Sequence, residues 1–262
     1  MGSIEELSFS APPQVVSASG LLFDFDGRFP LPNNFTLDTK DDLIIPRIGT
    51  VIDSTEAVVK HWHKQAALMG VDPNVILATS HGRRSIDTFQ IYDPSKANWE
   101  YISHQEGLIP KEFGQNAVEI PGARKLLASL ESVNAPWAVC TSATRALLDG
   151  WIEILKLAHP RCIVVAEDVE QGKPHPDCYL LGRERLGLPG DSHMIVFEDA
   201  PSGVRAGKAA GFKVVGLATT HTVEQVQEAG ADWIVRDLSS VTLKDFHDGV
   251  VRIEITNALV RA

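Results

Sequence analysis

GLLFDFD, residues 20–26, is a short apolar run that ends in two carboxylates. Runs of the same kind recur: PWAVCT at 136–141, CIVVA at 162–166, HMIVFED at 193–199, KVVGLA at 213–218 and DWIV at 232–235. Between them the apolar spacing is helical, in ARKLLASLESV (123–133), RALLDGWIEILKL (145–157), PDCYLLGRERLGL (176–188) and PSGVRAGKAAG (201–211). Pro176 suits a first helical position and Gly211 a C′ position. Apolar runs too short for helices, alternating with helices, predict an α/β fold: a Rossmann-like parallel sheet with helices on both faces.

Residues 50–118 break that rhythm. They read as helices only, TEAVVKHWHKQAALMG (55–70), RRSIDTFQIY (83–92) and NWEYISHQEGLI (98–109), with no strand-like run between them. This predicts an all-helical cap domain inserted after the first strand, with Val118–Pro121 returning the chain to the core. The α/β core then takes 19–27 and 119–262, and residues 1–18 read as a flexible tail. Residues 28–49 form an irregular insertion. Within it, RFPLPNNFTLDTKDDLIIPRI (28–48) has three prolines and no periodicity.

The composition narrows the class. The chain has 262 residues, 44% of them hydrophobic and 22% charged, which excludes wholesale disorder and fibrous folds. No apolar run approaches the roughly 18 residues a membrane span needs. The first residues, MGSIEELSFSAPPQ, show neither a basic nor an apolar leader region, so a secretory signal is not expected. A net charge of 24 − 34 = −10 argues against nucleic acid or an anionic membrane as partner. Cys140, Cys162 and Cys178 are odd in number and lack a C-x-x-C, which argues for free thiols in a cytoplasmic protein. A monomer is the default expectation.

Ligands of open α/β sheets sit beyond the carboxyl ends of the strands. Those ends carry Asp24 and Asp26, then Thr141 and Ser142, then Glu198 and Asp199, with Lys173 on the loop after CIVVA. Four carboxylates suit magnesium, which takes a few carboxylates and keeps waters for a phosphate. A carboxylate can also attack phosphorus, provided a metal and a lysine offset the repulsion between two anions. A hydroxyl and the N–H groups of a helix N-terminus can hold the remaining phosphate oxygens. Other features read as structural. Gly172-Lys173 lacks the remainder of a P-loop, His61 and His63 point to different sides of a helix, and Gly203, Gly207 and Gly211 suit close helix–sheet packing.

On these residues the chain resembles the haloacid dehalogenase superfamily, from Leu21 to its end. The superfamily's D-x-D-G motif matches Asp24, Asp26 and Gly27, its strand-end hydroxyl Thr141, its lysine Lys173, and its acidic pair Glu198 and Asp199. SHGRR (80–84), TSATR (141–145), GKPHPDCY (172–179) and FEDAPSGVRAGKAAG (197–211) are similar to the fungal glycerol-phosphate and 2-deoxyglucose-6-phosphate phosphatases. The tail segments GADWIVRDLSSV and ITNALVRA look more like the deoxyglucose branch.

The resemblance implies a magnesium-dependent phosphatase acting on a small sugar or polyol phosphate through an aspartyl-phosphate. Asp24 would be the nucleophile and a metal ligand. Asp26 would protonate the leaving group, activate water and offer its carbonyl to the metal. Thr141 and Lys173 would hold phosphate, with Ser142 beside them. Asp199 would ligate magnesium, with Glu198 acting through water or in support, and Arg84, ahead of Arg83, would reach the substrate from the cap. A phosphosugar mutase of the same superfamily is the alternative, and an inactive sugar-phosphate-binding protein a third reading if the insertion displaces Asp26. A dehalogenase is disfavoured, because those relatives lack the second aspartate and the metal.

The superfamily writes D-x-D-G-T without interruption. Here Arg28–Gly49 intervene, and their removal restores FDFDGTVIDSTEAV. The piece is 22 residues, or 22 × 3 = 66 nucleotides, with a glycine at each end of the join. That is the trace an unspliced in-frame intron would leave.

Overall fold

The computed structural model describes residues 8–27, 49–79 and 83–260. The irregular insertion at 28–48, and Ser80, His81 and Gly82 of SHGRR, lie outside the described residues.

In chain order the strands are β1 (Gln14–Ala18), β2 (Gly20–Phe23), β3 (Ile52–Asp53), β4 (Val118–Glu119), β5 (Trp137–Cys140), β6 (Cys162–Val164), β7 (Met194–Glu198), β8 (Lys213–Leu217), β9 (Trp233–Val235), β10 (Val241–His247) and β11 (Val250–Ile255). The helices are α1 (Thr55–Met69), α2 (Pro73–Thr79), α3 (Ser85–Tyr92), α4 (Trp99–Phe113), α5 (Ala123–Ser132), α6 (Arg145–Leu155), α7 (Asp177–Arg185), α8 (Pro201–Ala209) and α9 (Val223–Glu228). None of them is long and apolar enough to cross a membrane.

The six apolar runs form one sheet in the order β6-β5-β2-β7-β8-β9, all neighbours parallel. Alternate residues feed two cores. Leu21, Phe23, Val139 and Phe197 pack on one face with Leu126 and Leu130 of α5 and Leu148 and Trp151 of α6. Leu22, Cys140, Val196 and Val214 pack on the other with Tyr179 of α7, Val204 of α8 and Val226 of α9. With both faces covered, a polar residue has no place in the strand interiors, so they read as unbroken apolar runs. Each such leucine or phenylalanine contributes about 1.5–3 kcal/mol by leaving water.

Between β3 and β4, which pair antiparallel as the two stems, the chain is helical from α1 to α4. This unit has its own small core of Val58, Trp62, Ile76, Phe89 and Ile102. It is nevertheless closely seated on the sheet domain, because small residues meet where α4 lies along α6. A Cβ added to Gly107 would stand 3.1 Å from Ala146 Cβ, and one on Gly150 2.8 Å from Pro110 Cγ.

Two expectations need correction. Residues 14–18, read as part of a flexible tail, form β1, which pairs antiparallel with β11. The chain's end, given no strands in the sequence reading, forms the hairpin β10–β11. The three make a second sheet whose Val251, Ile253 and Ile255 complete the first core. The turn Asp248-Gly249 has positive φ at both positions, 51° and 74°, the backbone that Asp-Gly favours between hairpin strands.

Candidate active site

Every residue named at a strand end in the sequence lies at the same end of the large sheet. Asp24, Asp26, Thr141, Ser142, Lys173 and Glu198 line one cavity, with Ala143 and Ala200. Asp199 lies beside it, and carboxylate oxygens of Asp24, Glu198 and Asp199 fall within 4.8 Å of one another. All three carboxylates are buried.

Lys173 is the cation in their midst. Its Nζ donates to Asp24 Oδ1 at 2.5 Å and to Glu198 Oε1 at 2.7 Å. The Tyr179 hydroxyl donates to the same Glu198 oxygen at 2.8 Å, and its ring centroid lies 5.0 Å from Lys173 Nζ. Burial pushes the Tyr179 phenol well up, so it keeps its proton and remains a donor. Glu198 Oε2 accepts the N–H groups of Asp199 and Ala200, both at 3.0 Å. With this many donors on Glu198, the residue serves as a fixed strut between lysine and backbone.

Asp199 is tied to two loops. Its Oδ1 accepts Thr50 Oγ1 at 2.6 Å and its Oδ2 accepts Thr220 Oγ1. Thr220 Oγ1 in turn accepts Gly49 N–H at 3.0 Å, and Thr219 Oγ1 donates to Gly49 O at 2.8 Å. Asp26 is half-buried and holds the start of α1, accepting Ser54 N–H at 3.2 Å and the Ser54 hydroxyl. Thr141 Oγ1 accepts Ala143 N–H at 3.1 Å, curling the loop that leads into α6.

The charges do not balance within the described residues. Burial raises the Asp24 carboxyl well above its usual range; Lys173 opposes this, while Glu198 and Asp199 add to it. Burial likewise raises Asp199, with Glu198 adding to it. Burial alone would lower the Lys173 ammonium, but Asp24 and Glu198 outweigh it and hold it well above the ordinary lysine value, so it stays charged. Three carboxylates against one ammonium leave a surplus of negative charge with converging oxygens, and this donor set fits a divalent cation.

Arg84 is the exception among the residues named from sequence. It is buried, but not in the wall of this cavity. Its guanidinium pairs with Asp87 at 2.8 and 3.0 Å, donates to Val169 O at 2.8 Å and lies over the Trp99 ring. There it lines a separate groove with Gln90 and Glu170 and fastens α3 to the loop that leads to Lys173. Arg83 is exposed.

The sequence reading missed Thr50, Ser54, Tyr179 and Thr220. Thr219-Thr220 follow KVVGLA directly, so strand-end logic would have reached them. Tyr179 stood inside GKPHPDCY without a role. Thr50 and Ser54 carried no signal of their own.

Comparisons with known proteins bear on the family and the fold. The family model described as haloacid dehalogenase-like hydrolase matches residues 49–217, so Asp24 and Asp26 precede the matched span. The chain is 39% identical over 217 residues to glycerol-1-phosphate phosphohydrolase 1 of Saccharomyces cerevisiae, covering 79% of this chain and 86% of that protein. It is 33% identical over 232 residues to 2-deoxyglucose-6-phosphate phosphatase 1 of the same yeast, covering 82% and 94%. A solved hydrolase from Pseudomonas syringae superposes with a TM-score of 0.64 at 20% identity, covering 84% of this chain and 94% of that one, which bears on the fold alone. With well over half of the chain inside the family model and its strand-end acids gathered on one sheet edge, the protein belongs to the haloacid dehalogenase-like hydrolases.

Proposed function

We propose that the chain is a magnesium-dependent phosphatase that hydrolyses a small sugar or polyol phosphate monoester through an aspartyl-phosphate on Asp24. The observation that carries this is the placement of Asp24: its carboxylate lies on the cavity wall with one oxygen held by Lys173, in the same cavity as Thr141 and Ser142. The relatives' names supply the substrate class, a polyol phosphate in one case and a sugar phosphate in the other.

Asp24, Asp199 and the main-chain carbonyl of Asp26 would hold the magnesium, with Glu198 in support. When bound, the ion offsets charge on the phosphoryl oxygens and the attacking carboxylate. Lys173 fixes Asp24 Oδ1, which leaves Oδ2 to attack phosphorus. The Oδ2–P bond forms as the bond from phosphorus to the ester oxygen breaks, and Asp26 gives its proton to the departing alkoxide. Asp26 then takes a proton from water, whose oxygen attacks phosphorus and releases Asp24. Thr141 and Ser142 hold the other phosphate oxygens with their hydroxyls. Residues 50–118 act as a cap that excludes bulk water during the first step. The reading includes a cytoplasmic monomer, in keeping with three free, buried cysteines.

Phosphate release from glycerol 1-phosphate, 2-deoxyglucose 6-phosphate and other small monoesters, with magnesium and with a chelator, tests the proposal. Release that requires the metal supports it. An isomerised sugar phosphate without free phosphate identifies a mutase, and binding without turnover an inactive chain; either result overturns it.

A further inference from the structure

The N-terminus of α6 is held by two glutamates, and one of them comes from the helical unit. Glu106, on α4, is 1% exposed. Its Oε2 accepts the Thr144 N–H at 2.8 Å, and its Oε1 accepts the hydroxyl of Ser85, the residue after Arg84 and the first of α3. Glu167, on the sheet domain, accepts the Arg145 N–H at 3.1 Å and the hydroxyl of Ser103 on α4 at 3.0 Å.

The loop from Thr141 to Thr144 is otherwise fixed from the sheet side. Thr141 N–H donates to Val164 O and Ala166 N–H to Ala143 O, both at 2.9 Å. The Thr144 N–H is therefore where α4 takes hold of the loop that carries Thr141 and Ser142. A buried carboxylate is costly unless donors meet it, and where only packing is at stake an apolar side chain does the same work at lower cost. Glu106 meets a donor from α3 and a donor from the phosphate-side loop, and these two contacts are made together only when the helical unit is seated on α6.

We propose that Glu106 is a positioning residue that couples the seating of the helical unit to the geometry of the Thr141–Ala143 loop. It acts through Thr144 and touches no reacting atom. The inference goes beyond the phosphatase reading and uses it only for one of its assays.

Glu106→Gln keeps the shape but makes the bond to Thr144 N–H a neutral one, and Ser85 can be met only with its hydroxyl turned round to accept from the new amide. With p-nitrophenyl phosphate and magnesium, kcat should fall at least about tenfold while KM moves less than about threefold. Ser85→Ala keeps the Thr144 contact but cuts the link to α3, and kcat should fall about threefold. The double variant should be no worse than Glu106→Gln, because both changes lie on one path. A kcat within about twofold of the parent in both single variants, or losses that multiply in the double variant, overturns the proposal. If Glu106→Gln does not fold, Ser85→Ala alone decides by the same kcat criterion.

Amide hydrogen exchange gives a reading independent of turnover. Orthovanadate bound to the parent chain should slow exchange across 141–147 and across 85–92 together, but only across 141–147 in Ser85→Ala. Joint slowing in that variant overturns the coupling. A parent chain that releases no phosphate from any monoester sinks the phosphatase reading instead and leaves the exchange test standing.

Discussion

Gly203 lies directly against Glu198: a Cβ added at Gly203 would overlap the Glu198 carboxylate atoms. The first turn of α8 thus forms the floor on which that carboxylate rests, and only a residue without a side chain allows it. Gly203→Ala must therefore displace Glu198 and with it Lys173. Activity should fall at least about a hundredfold, with a stability loss of about 1–3 kcal/mol from overpacking. Gly207→Ala is the control. Its Cβ would meet a Val214 methyl at 2.9 Å, far from any carboxylate, so it should cost stability but leave kcat nearly unchanged. Thermal melts and kcat of the two variants check this, and equal losses of activity would refute it.

Asp24→Asn nearly preserves volume while removing the attacking carboxylate. Turnover should drop below about a thousandth of the parent, with an unchanged circular dichroism spectrum. Retention of a tenth of the activity would exclude a covalent intermediate on this residue.

Lys173→Ala leaves Asp24, Glu198 and Asp199 together without their ammonium. Removing one partner from a buried ion pair costs about 3–5 kcal/mol, and kcat/KM should fall by several kcal/mol in activation free energy, roughly a thousandfold. A divalent ion would offset part of the exposed charge, so magnesium should raise the melting temperature of the variant more than that of the parent. Melts with magnesium and with a chelator decide; an equal shift in both proteins would show that the cluster does not hold the metal.

Away from the site, Asp232 accepts from Lys208 and Lys213, both at 2.7 Å, and from Val214 N–H at 2.9 Å. Burial alone would raise this carboxyl, but the two lysines outweigh it and hold it below the ordinary aspartate value. A depressed carboxyl stabilises the fold at pH above the unfolded value and loses that contribution as pH falls through the folded one. Asp232→Asn should cost about 1 kcal/mol near neutrality, the order of a small partly exposed ion network. The difference should fade as pH falls through the ordinary aspartate range and below it, into the depressed folded-state range. Melts of both proteins across that range test it, and a gap that persists in acid would exclude the ion network as its source.

How much of this was legible in the sequence depended on range. The six strands were visible because two covered faces force unbroken apolar runs, and Asp24, Thr141, Lys173 and Glu198 were visible because strand ends point one way in a parallel sheet. β10 and β11 also had a local sign, the Asp-Gly turn between alternating residues. β1 did not: its role depends on pairing Val16 with Ile253, far along the chain. The same holds for Thr50 and Thr220 meeting on Asp199, and for Glu106 reaching Thr144. Arg84 could be placed near the site from its motif, but Asp87 and Val169 O, which take up its guanidinium, are settled only by packing.

The last prediction rests on Gly27 and Gly49. A Cβ on Gly27 would stand 2.5 Å from Gly49 N, and one on Gly49 2.7 Å from Gly27 N. The chain leaves this point after Gly27 and is back at it by Gly49, so the intervening residues span no distance that the fold requires. Gly49 is bonded to Thr219 and Thr220, and the next residue, Thr50, holds Asp199, so the spacing from Asp26 to Asp199 passes through this junction. Any freedom at the junction reaches both carboxylates, and catalysis is sensitive to displacements of about an ångström. Deleting Arg28–Gly49 joins Gly27 to Thr50 and lets one glycine take the place of two. The shortened chain should be at least as stable and at least about tenfold more active, measured by melting temperature and by phosphate release under one set of conditions. A spliced transcript should lack the corresponding 22 × 3 = 66 nucleotides. A message that retains them, together with a less active shortened protein, would make the segment a functional loop rather than an unspliced intron.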